Sequence, residues 1–479
     1  MQSTNLLYII SDQHNRDAAG CYGHPLAQTP HIDSLAERGT LFTNAYTNCA
    51  ICVPVRAALA TGRYVHQIGA WDNGHPYDGT VPSWHHRLRK QGYRVDSIGK
   101  LHFRSTEDDL GFTQSVEPLN VVDGVGDILS CIRKNPPMRP KREPIQKSGP
   151  GDSTYLQYDI RNADNGCRWL TEHAHDEKPW TLFLSFVCPH PPYIAPPELY
   201  NQYSLDQIPM MPQWQEQEWP DHPALDYMRR FFGFAPQFDE HDVRKMIAAY
   251  LGATTHLDQQ IGRVLTALDE LGLRDKTRVI YTSDHGEHMG ARGIFGKFTM
   301  YDEAAAIPFV MAGPDVPEGK VSNTPVSLVD TFPTVIEAVG ATPDPEDADL
   351  PGVSLLSIAQ EPDQNRIVFS EYHAVATENA YYMVYDGVYK YVHYVGAEPQ
   401  LFNLQADPEE INNLAAAEPA LVNEFEGQLR AIVDPDAVDA QAKADQRARV
   451  EQFGGEDAVR ARGFFVNSPT PDEAPTFHR

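Results

Sequence analysis

No apolar stretch in this sequence approaches the length of a membrane span. The N-terminus, MQSTNLLYIISDQH, has no basic n-region, and its apolar run is too short for a signal peptide. The chain is therefore expected to be soluble and cytoplasmic. Cysteine is scarce, at six in 479 residues (Cys21, Cys49, Cys52, Cys131, Cys167, Cys188). Without a secretion signal, so few do not suggest a disulfide framework. Basic residues are the minority: 39 Lys and Arg against 66 Asp and Glu give a formal charge of −27. Such a field repels phosphate, which argues against nucleic-acid or anionic-membrane partners. An anionic substrate would need a locally positive pocket. No internal repeat is evident.

One short stretch carries two of those cysteines. NCAICVPVRAALATGR, Asn48 to Arg63, contains a C-x-x-C (Cys49, Cys52), which suits a redox dithiol or half of a zinc site. A zinc site would want a second C-x-x-C or a paired histidine motif, and neither is evident. Cys52 also opens a C-x-P-x-R, in which the cysteine would be the precursor of another nucleophile.

Apolar content is 41%, ordinary for a globular protein. Several short apolar runs end abruptly in polar residues. Asn5–Ile10 leads into Ser11-Asp12-Gln13, and Tyr93–Ile98 into Gly99-Lys100-Leu101-His102. Trp180–Val187 leads into Cys188-Pro189-His190, and Thr277–Thr282 into Ser283-Asp284-His285-Gly286. Runs without strict alternation suit strands covered on both faces. Between them lie helical patterns, the clearest over Glu240 to Leu271. The expected fold is a layered α/β domain with a mostly parallel sheet, whose ligands gather beyond the carboxyl ends of the strands. Residues 135–151 and 192–238 read as loops or lids. After about Asp363, IVFSEY and YYMVYDGVYKYVHY, with an Asp-Gly turn signal, suggest a small antiparallel sheet. From about Ala437 the chain is polar, and it ends in GFFVNSPTPDEAPTFHR, which suits no regular element.

Asp12, Asp284 and His285, joined by Gln13, form an oxygen-rich donor set suited to a hard divalent cation. A single strand-end Asp would more often be a helix cap; two from distant strands favour a metal site. Lys100, His102, His190 and Lys297 add cationic and proton-transfer groups. His85, His86 and His288 are read as structural or surface residues.

CVPVRAALATG resembles the signature of type I sulfatases, of the alkaline phosphatase superfamily. GKLHF, PHPPY, SDHGEHMGARGIFGK and LFNLQADPEEINNLA resemble the other blocks of that family, in family order. The resemblance covers about Asn5 to Ala415 and is nearest the choline-sulfatase-like branch. It implies an alkaline-phosphatase-like fold: a large mixed, mostly parallel sheet between helices, with a smaller C-terminal antiparallel-sheet subdomain. The expected divisions are a catalytic domain over 1–362, a subdomain over 363–436 and a tail over 437–479. It also implies that Cys52 is converted to formylglycine by a formylglycine-generating enzyme, with Cys49 a bystander. One divalent ion, Ca²⁺ first with Mn²⁺ or Mg²⁺ as alternatives, would be held by Asp12, Gln13, Cys52, Asp284 and His285.

The resemblance further assigns roles. Arg56 would hold the modified residue and the anion, and Lys100 and Lys297 would neutralise sulfuryl oxygens. His102 would be the base that releases sulfate, and His190 or Lys297 would protonate the leaving oxygen. Asn73, in WDNGHPY, would contact the anion. Two departures stand out. Gln13 replaces the second Asp of many sulfatases, and residues 111–151 lack the aromatic-rich pattern expected near a choline head group. The substrate is expected to be a small organic sulfate monoester. Glu371 with Trp71, Phe103, Tyr193 and Tyr372 would hold a cationic leaving group if they converge. A phosphonate monoester or phosphodiester hydrolase with the same machinery is the alternative, and a non-catalytic anion-binding relative the third. The aromatic tail (Phe464, Phe465, Phe477) suggests a homo-oligomer, a dimer or dimer of dimers.

Overall fold

A computed structural model describes residues 4–361 and 364–478. The domain boundary expected at 362/363 falls on residues outside those described. The main sheet has eight strands: β1 (Asn5–Asp12), β2 (Gly39–Phe42), β3 (Arg94–Lys100), β4 (Gln114–Leu119), β5 (Trp180–Pro189), β6 (Thr277–Ser283), β7 (Phe309–Ala312) and β8 (Lys320–Ser322). Their spatial order is β8-β2-β7-β6-β1-β5-β3-β4, and only β7 runs antiparallel to its neighbours.

Both faces are covered, as the unbroken apolar runs require. Leu6, Tyr8 and Ile10 of β1 face one core, and Leu7 and Ile9 face the other. The first core also takes helix α1 (Cys52–Thr61) through Val55, Ala58 and Leu59. The second takes α2 (Thr154–His173) and the later turns of α3 (Glu240–Glu270), through Leu156, Leu170, Ile261 and Val264. The side chain of Asp239 caps α3 by accepting from His241 N at 2.9 Å. No helix among the described residues is long and apolar enough to cross a membrane.

The expected small sheet is present as β9 (Val368–Tyr372), β10 (Tyr381–Tyr385), β11 (Tyr389–Tyr394) and β12 (Gln400–Asn403), all antiparallel. Asp386 Oδ1 accepts from the amides of Val388 and Tyr389 at 2.8 Å, and Gly387 takes φ 99°, so the Asp-Gly pair makes the turn. Alternation sends Tyr381, Met383 and Tyr385 into the main core. Tyr382 and Val384 face α4 (Pro419–Ile432), where Phe425 and Leu429 cover them.

The polar stretch after 437 is more regular than expected. It contains α5 (Pro435–Gln452) and α6 (Glu456–Arg462). The buried positions of α5 include Asp439 and Gln446 beside Ala442 and Val450, so no apolar stripe marks the helix. Gln446 donates to Asp72 Oδ2 at 2.7 Å, and Asp445 accepts from Trp71 Nε1 at 2.9 Å. Beyond α6 the tail packs on its own chain. Phe464 and His478 pair through backbone bonds of 2.9 and 2.7 Å, and Tyr155 OH donates to Ser468 O at 2.5 Å.

Candidate active site

Asp12 ends β1, Lys100 ends β3, His190 follows β5, and Asp284 follows β6, so the sheet delivers four polar groups to one edge. Cys52 joins them from the first turn of α1, where free amides face an anion. That helix stops at Gly62, whose φ is 66° and whose N–H donates to Ala58 O at 2.8 Å. The small residues of the motif let α1 pack fully buried.

Asp12, Cys52, Asp284 and His285 each offer a ligand atom within 4.8 Å of the others, and all four are buried. His285 Nε2 lies 3.5 Å from one oxygen of each aspartate and 3.2 Å from Cys52 Sγ. Its Nδ1 faces the Gly286 carbonyl at 3.2 Å. A carbonyl only accepts, so Nδ1 carries the proton and the Nε2 lone pair faces the cluster. Two carboxylates and a neutral imidazole fit a divalent cation. Burial, against the pull of Asp284, keeps His285 well below the usual histidine range. Burial raises the Asp284 carboxyl, but the positive charges of Arg56, Lys100 and Lys297 around it outweigh that and hold the group low.

Arg56 fixes this cluster to the sheet. Its Nε donates to Asp284 Oδ2 at 2.9 Å, and its Nη1 to Lys100 O at 2.8 Å and Ser185 Oγ at 2.9 Å. Among the described residues its Nη2 is buried without a hydrogen-bond partner. Lys100 pairs with Asp12 Oδ2. Lys297 Nζ donates to Gln13 Oε1 at 2.9 Å and approaches Cys52 Sγ at 2.8 Å. Burial pushes the Cys52 thiol up, with Lys297 opposing, and burial pushes Cys49 far higher. Neither thiol is activated, and the two are not bonded, so the redox reading has no support.

His102 and His190 both reach the cavity, and burial with the nearby Lys100 and Lys297 holds each well below its usual pKa. His190 Nδ1 donates to Pro191 O at 2.7 Å, which leaves Nε2 as an acceptor. His102 Nε2 meets Ser468 Oγ of the tail at 2.9 Å, while its Nδ1 is buried without a partner among the described residues. Asn73 lines the cavity and accepts from Val53 N at 3.4 Å, beside Cys52.

Three supporting residues were not foreseen. Glu287 accepts from the Gln13 amide, from Tyr193 OH at 2.9 Å and from Gly296 N at 2.6 Å. With the Gln13 amide on Glu287, Gln13 Oε1 accepts from Lys297, and Gln13 N donates to Asp284 Oδ1 at 3.1 Å. The place of Glu287 in SDHGE, just past the metal motif, was the available signal. Tyr250 of α3 accepts from Asn15 N at 2.8 Å and donates to Gln13 O at 2.7 Å, holding the backbone at Gln13, whose φ is 69°. Asp159 of α2 accepts from Val187 N and Cys188 N at 2.8 Å, fixing the end of β5.

The expected cationic pocket around Glu371 is not formed, which corrects that assignment. Glu371 is fully buried between His66 Nδ1 at 2.9 Å and His373 Nε2 at 2.8 Å. Trp71 bonds to α5, Tyr372 stacks on Tyr381, and Phe103 packs on Tyr77. Of the proposed aromatics only Tyr193 lines the cavity. A second cluster, Asp72, His75 and Cys131, is satisfied internally through bonds from His75, Gly74 and Gln446 to Asp72. His85 and His288 are buried and bonded to Leu110 O and Thr299 Oγ1, in keeping with structural roles.

The cavity has a volume of about 240 Å³. Its inner end is lined by Gln13, Cys52, Asn73, Lys100, His102, His190 and Lys297. Its outer walls come from residues 139–145, from Phe232, Phe234, Phe295 and Phe298, and from tail residues 464–468 with His478.

The family model for sulfatases matches residues 4–341, and one for the C-terminal part of N-sulphoglucosamine sulphohydrolase matches residues 286–433. Arylsulfatase K of Bos taurus is 30% identical over 467 residues, covering 91% of this chain and 83% of the relative. Choline-sulfatase of Rhizobium meliloti (strain 1021) is 27% identical, covering 93% of this chain and 90% of the relative. Phosphonate monoester hydrolase of Agrobacterium radiobacter has a similar solved structure, with a TM-score of 0.73 at 26% identity over 92% of this chain and 96% of that one.

Proposed function

Since the chain belongs to the sulfatase family and is a sulfatase-family hydrolase of sulfate esters, we propose that it acts on a small organic sulfate monoester through a formylglycine made from Cys52. The observation that carries this reading is one convergence: Asp12, Asp284, His285 and Cys52 meet at a helix N-terminus, under Arg56, Lys100 and Lys297. Asp12, Asp284, His285 and residue 52 would hold the divalent ion, with Gln13 beside them. When present, the ion would supply Lewis acidity, and a hydrated formylglycine one hydroxyl for attack at sulfur and a second to allow sulfate release.

The chain's own groups do the rest. Arg56 is pre-set by three bonds, and its unpaired Nη2 is available to the ester oxygens at no reorganisation cost. Lys100 and Lys297 offset the negative charge that grows as the S–O bond breaks, and Asn73 orients the anion. Neutral His102 is in the protonation state a base requires. His190 carries its proton at Nδ1, on the Pro191 carbonyl, so Lys297 is the better source of the proton taken by the leaving oxygen.

A second reading, hydrolysis of phosphonate monoesters, is supported by the similarity to the phosphonate monoester hydrolase. Purified protein should be assayed on matched nitrophenyl sulfate, phosphodiester and phenylphosphonate esters, with mass spectrometry of the peptide spanning residue 52. The proposal expects sulfate ester as the best substrate and formylglycine at residue 52. Full activity with unmodified Cys52 would reject the nucleophile, and a preference for the phosphonate would move the assignment to the second reading.

A further inference from the structure

The outer half of the cavity contains a cation that no acidic group neutralises. Lys141 lines it, with Nζ 4.7 Å from the centre of the Phe232 ring and 5.1 Å from that of Phe298. Among the described residues it has no carboxylate partner. The acids nearby are already engaged. Asp127 is held by Arg139 through contacts of 2.5 and 3.2 Å, Glu143 pairs with Lys147, and Glu287 takes Gln13 and Tyr193.

The position of Lys141 is fixed by the backbone. Arg139 N donates to Phe231 O at 3.0 Å, and Lys141 N to Phe232 O at 2.8 Å. Arg142 clamps the next residue, with Nη1 2.7 Å from Pro236 O and its guanidinium 3.8 Å above the Phe238 ring. An ammonium in a surface loop would ordinarily reach water. This one is tethered over two rings inside a small cavity, where burial and the Lys297 charge push it down to about 8. Half-buried and without an acidic partner among the described residues, this charge is stabilised by an incoming anion.

From this arrangement we propose that Lys141 is a specificity-determining residue that pairs with a second anionic group, a carboxylate or another sulfate, on the leaving group of the ester. The inference rests on the sulfate-ester reading above and names its substrate class. It also predicts that a quaternary ammonium fits this cavity poorly, because Lys141 already lies over the Phe232 and Phe298 rings that would receive it by cation–π contact. At about 240 Å³ the cavity holds a single substituted ring or a short chain.

The test compares phenyl sulfate, 3-carboxyphenyl sulfate and 3-(trimethylammonio)phenyl sulfate in wild type and Lys141→Met, which keeps the stem over the rings. The variant should lower kcat/KM for the carboxylate ester by about tenfold, leave phenyl sulfate within about twofold, and raise the ammonium ester. Equal effects on all three esters, or a wild type that favours the ammonium ester through KM, would overturn the assignment. Calorimetric binding of the same esters to Cys52→Ala, with and without Lys141→Met, separates the two layers of argument. Preferential binding of the carboxylate ester that depends on Lys141, with no turnover of any ester by wild type, would reject the sulfatase reading and keep Lys141. Turnover without discrimination, in kinetics and binding alike, would reject Lys141 and keep the sulfatase.

Discussion

The inner and outer halves of the cavity are built from different material. The inner half hangs on the ends of β1, β3 and β6 and the first turn of α1, and its charged side chains are buried and mostly tied by two or more bonds. The outer half is a seam between residues 139–145, the phenylalanines around 232 and 298, and the C-terminal tail. Its parts are joined by a few backbone bonds and by rings, such as Arg139 5.1 Å over Phe464. Sheet ends are rigid and suit chemistry that tolerates little displacement, whereas loops vary freely and suit recognition. On the proposed function, reaction belongs to the inner half and selection to the outer.

Substitutions in the inner half should cost the most. Asp284→Ala removes a proposed metal ligand and the anchor of Arg56, so turnover should fall by about 10³-fold or more, with loss of bound metal by elemental analysis. Full metal occupancy in that variant would break the division. Arg56→Lys should lower kcat by about 10²-fold, because a single ammonium cannot serve Asp284, Lys100 O and Ser185 together and still offer a free donor.

The outer half should behave differently. Ending the chain after Gly463 removes Ser468 from His102 and opens one wall of the cavity. We expect kcat/KM to fall by about tenfold, with metal content unchanged. Metal loss on truncation would show that the halves are not separable.

Glu371→Gln lies outside both halves and should leave ester discrimination unchanged while lowering Tm by several degrees. Burial would raise the Glu371 carboxyl, but His66 and His373 hold it at about 2, while Glu371 draws His66 above its usual range against burial. The sign follows from both shifts. The carboxylate's contribution is lost as pH falls from about 4.5 through about 2, and the His66 contribution is lost as pH rises past the ordinary histidine range. The gap between thermal melts of wild type and Glu371→Gln should close as pH falls through about 2 and narrow as pH rises past the histidine range. A change in substrate preference would restore the cationic pocket that the structure does not form.

The inner half was legible before any coordinates. Asp12, Lys100, His190 and Asp284 each follow an apolar run of strand length, and a parallel sheet brings such positions to one edge. Cys52 and Arg56 were marked by a motif whose spacing reflects the turn of one helix. The outer half was not legible in this way. Lys141 falls in residues 135–151, which read only as a loop or lid, and the tail reads only as aromatic and irregular. Glu371 was misplaced because its position at a strand's end says nothing about which histidines close over it. No apolar stripe marks helix α5, because Asp439 and Gln446, two of its five buried residues, are polar.

The sequence by itself determined the strands, the small sheet and the reacting cluster. Hydrophobic period and strand-end position are local properties, and a sheet converts them into place without further information. Only the tertiary structure decided which way Gln13 turns, that Ser468 meets His102, and that Lys141 has no acidic partner. Those facts depend on contacts between segments hundreds of residues apart, where a neighbour's identity is set by packing and leaves no periodic trace in the chain.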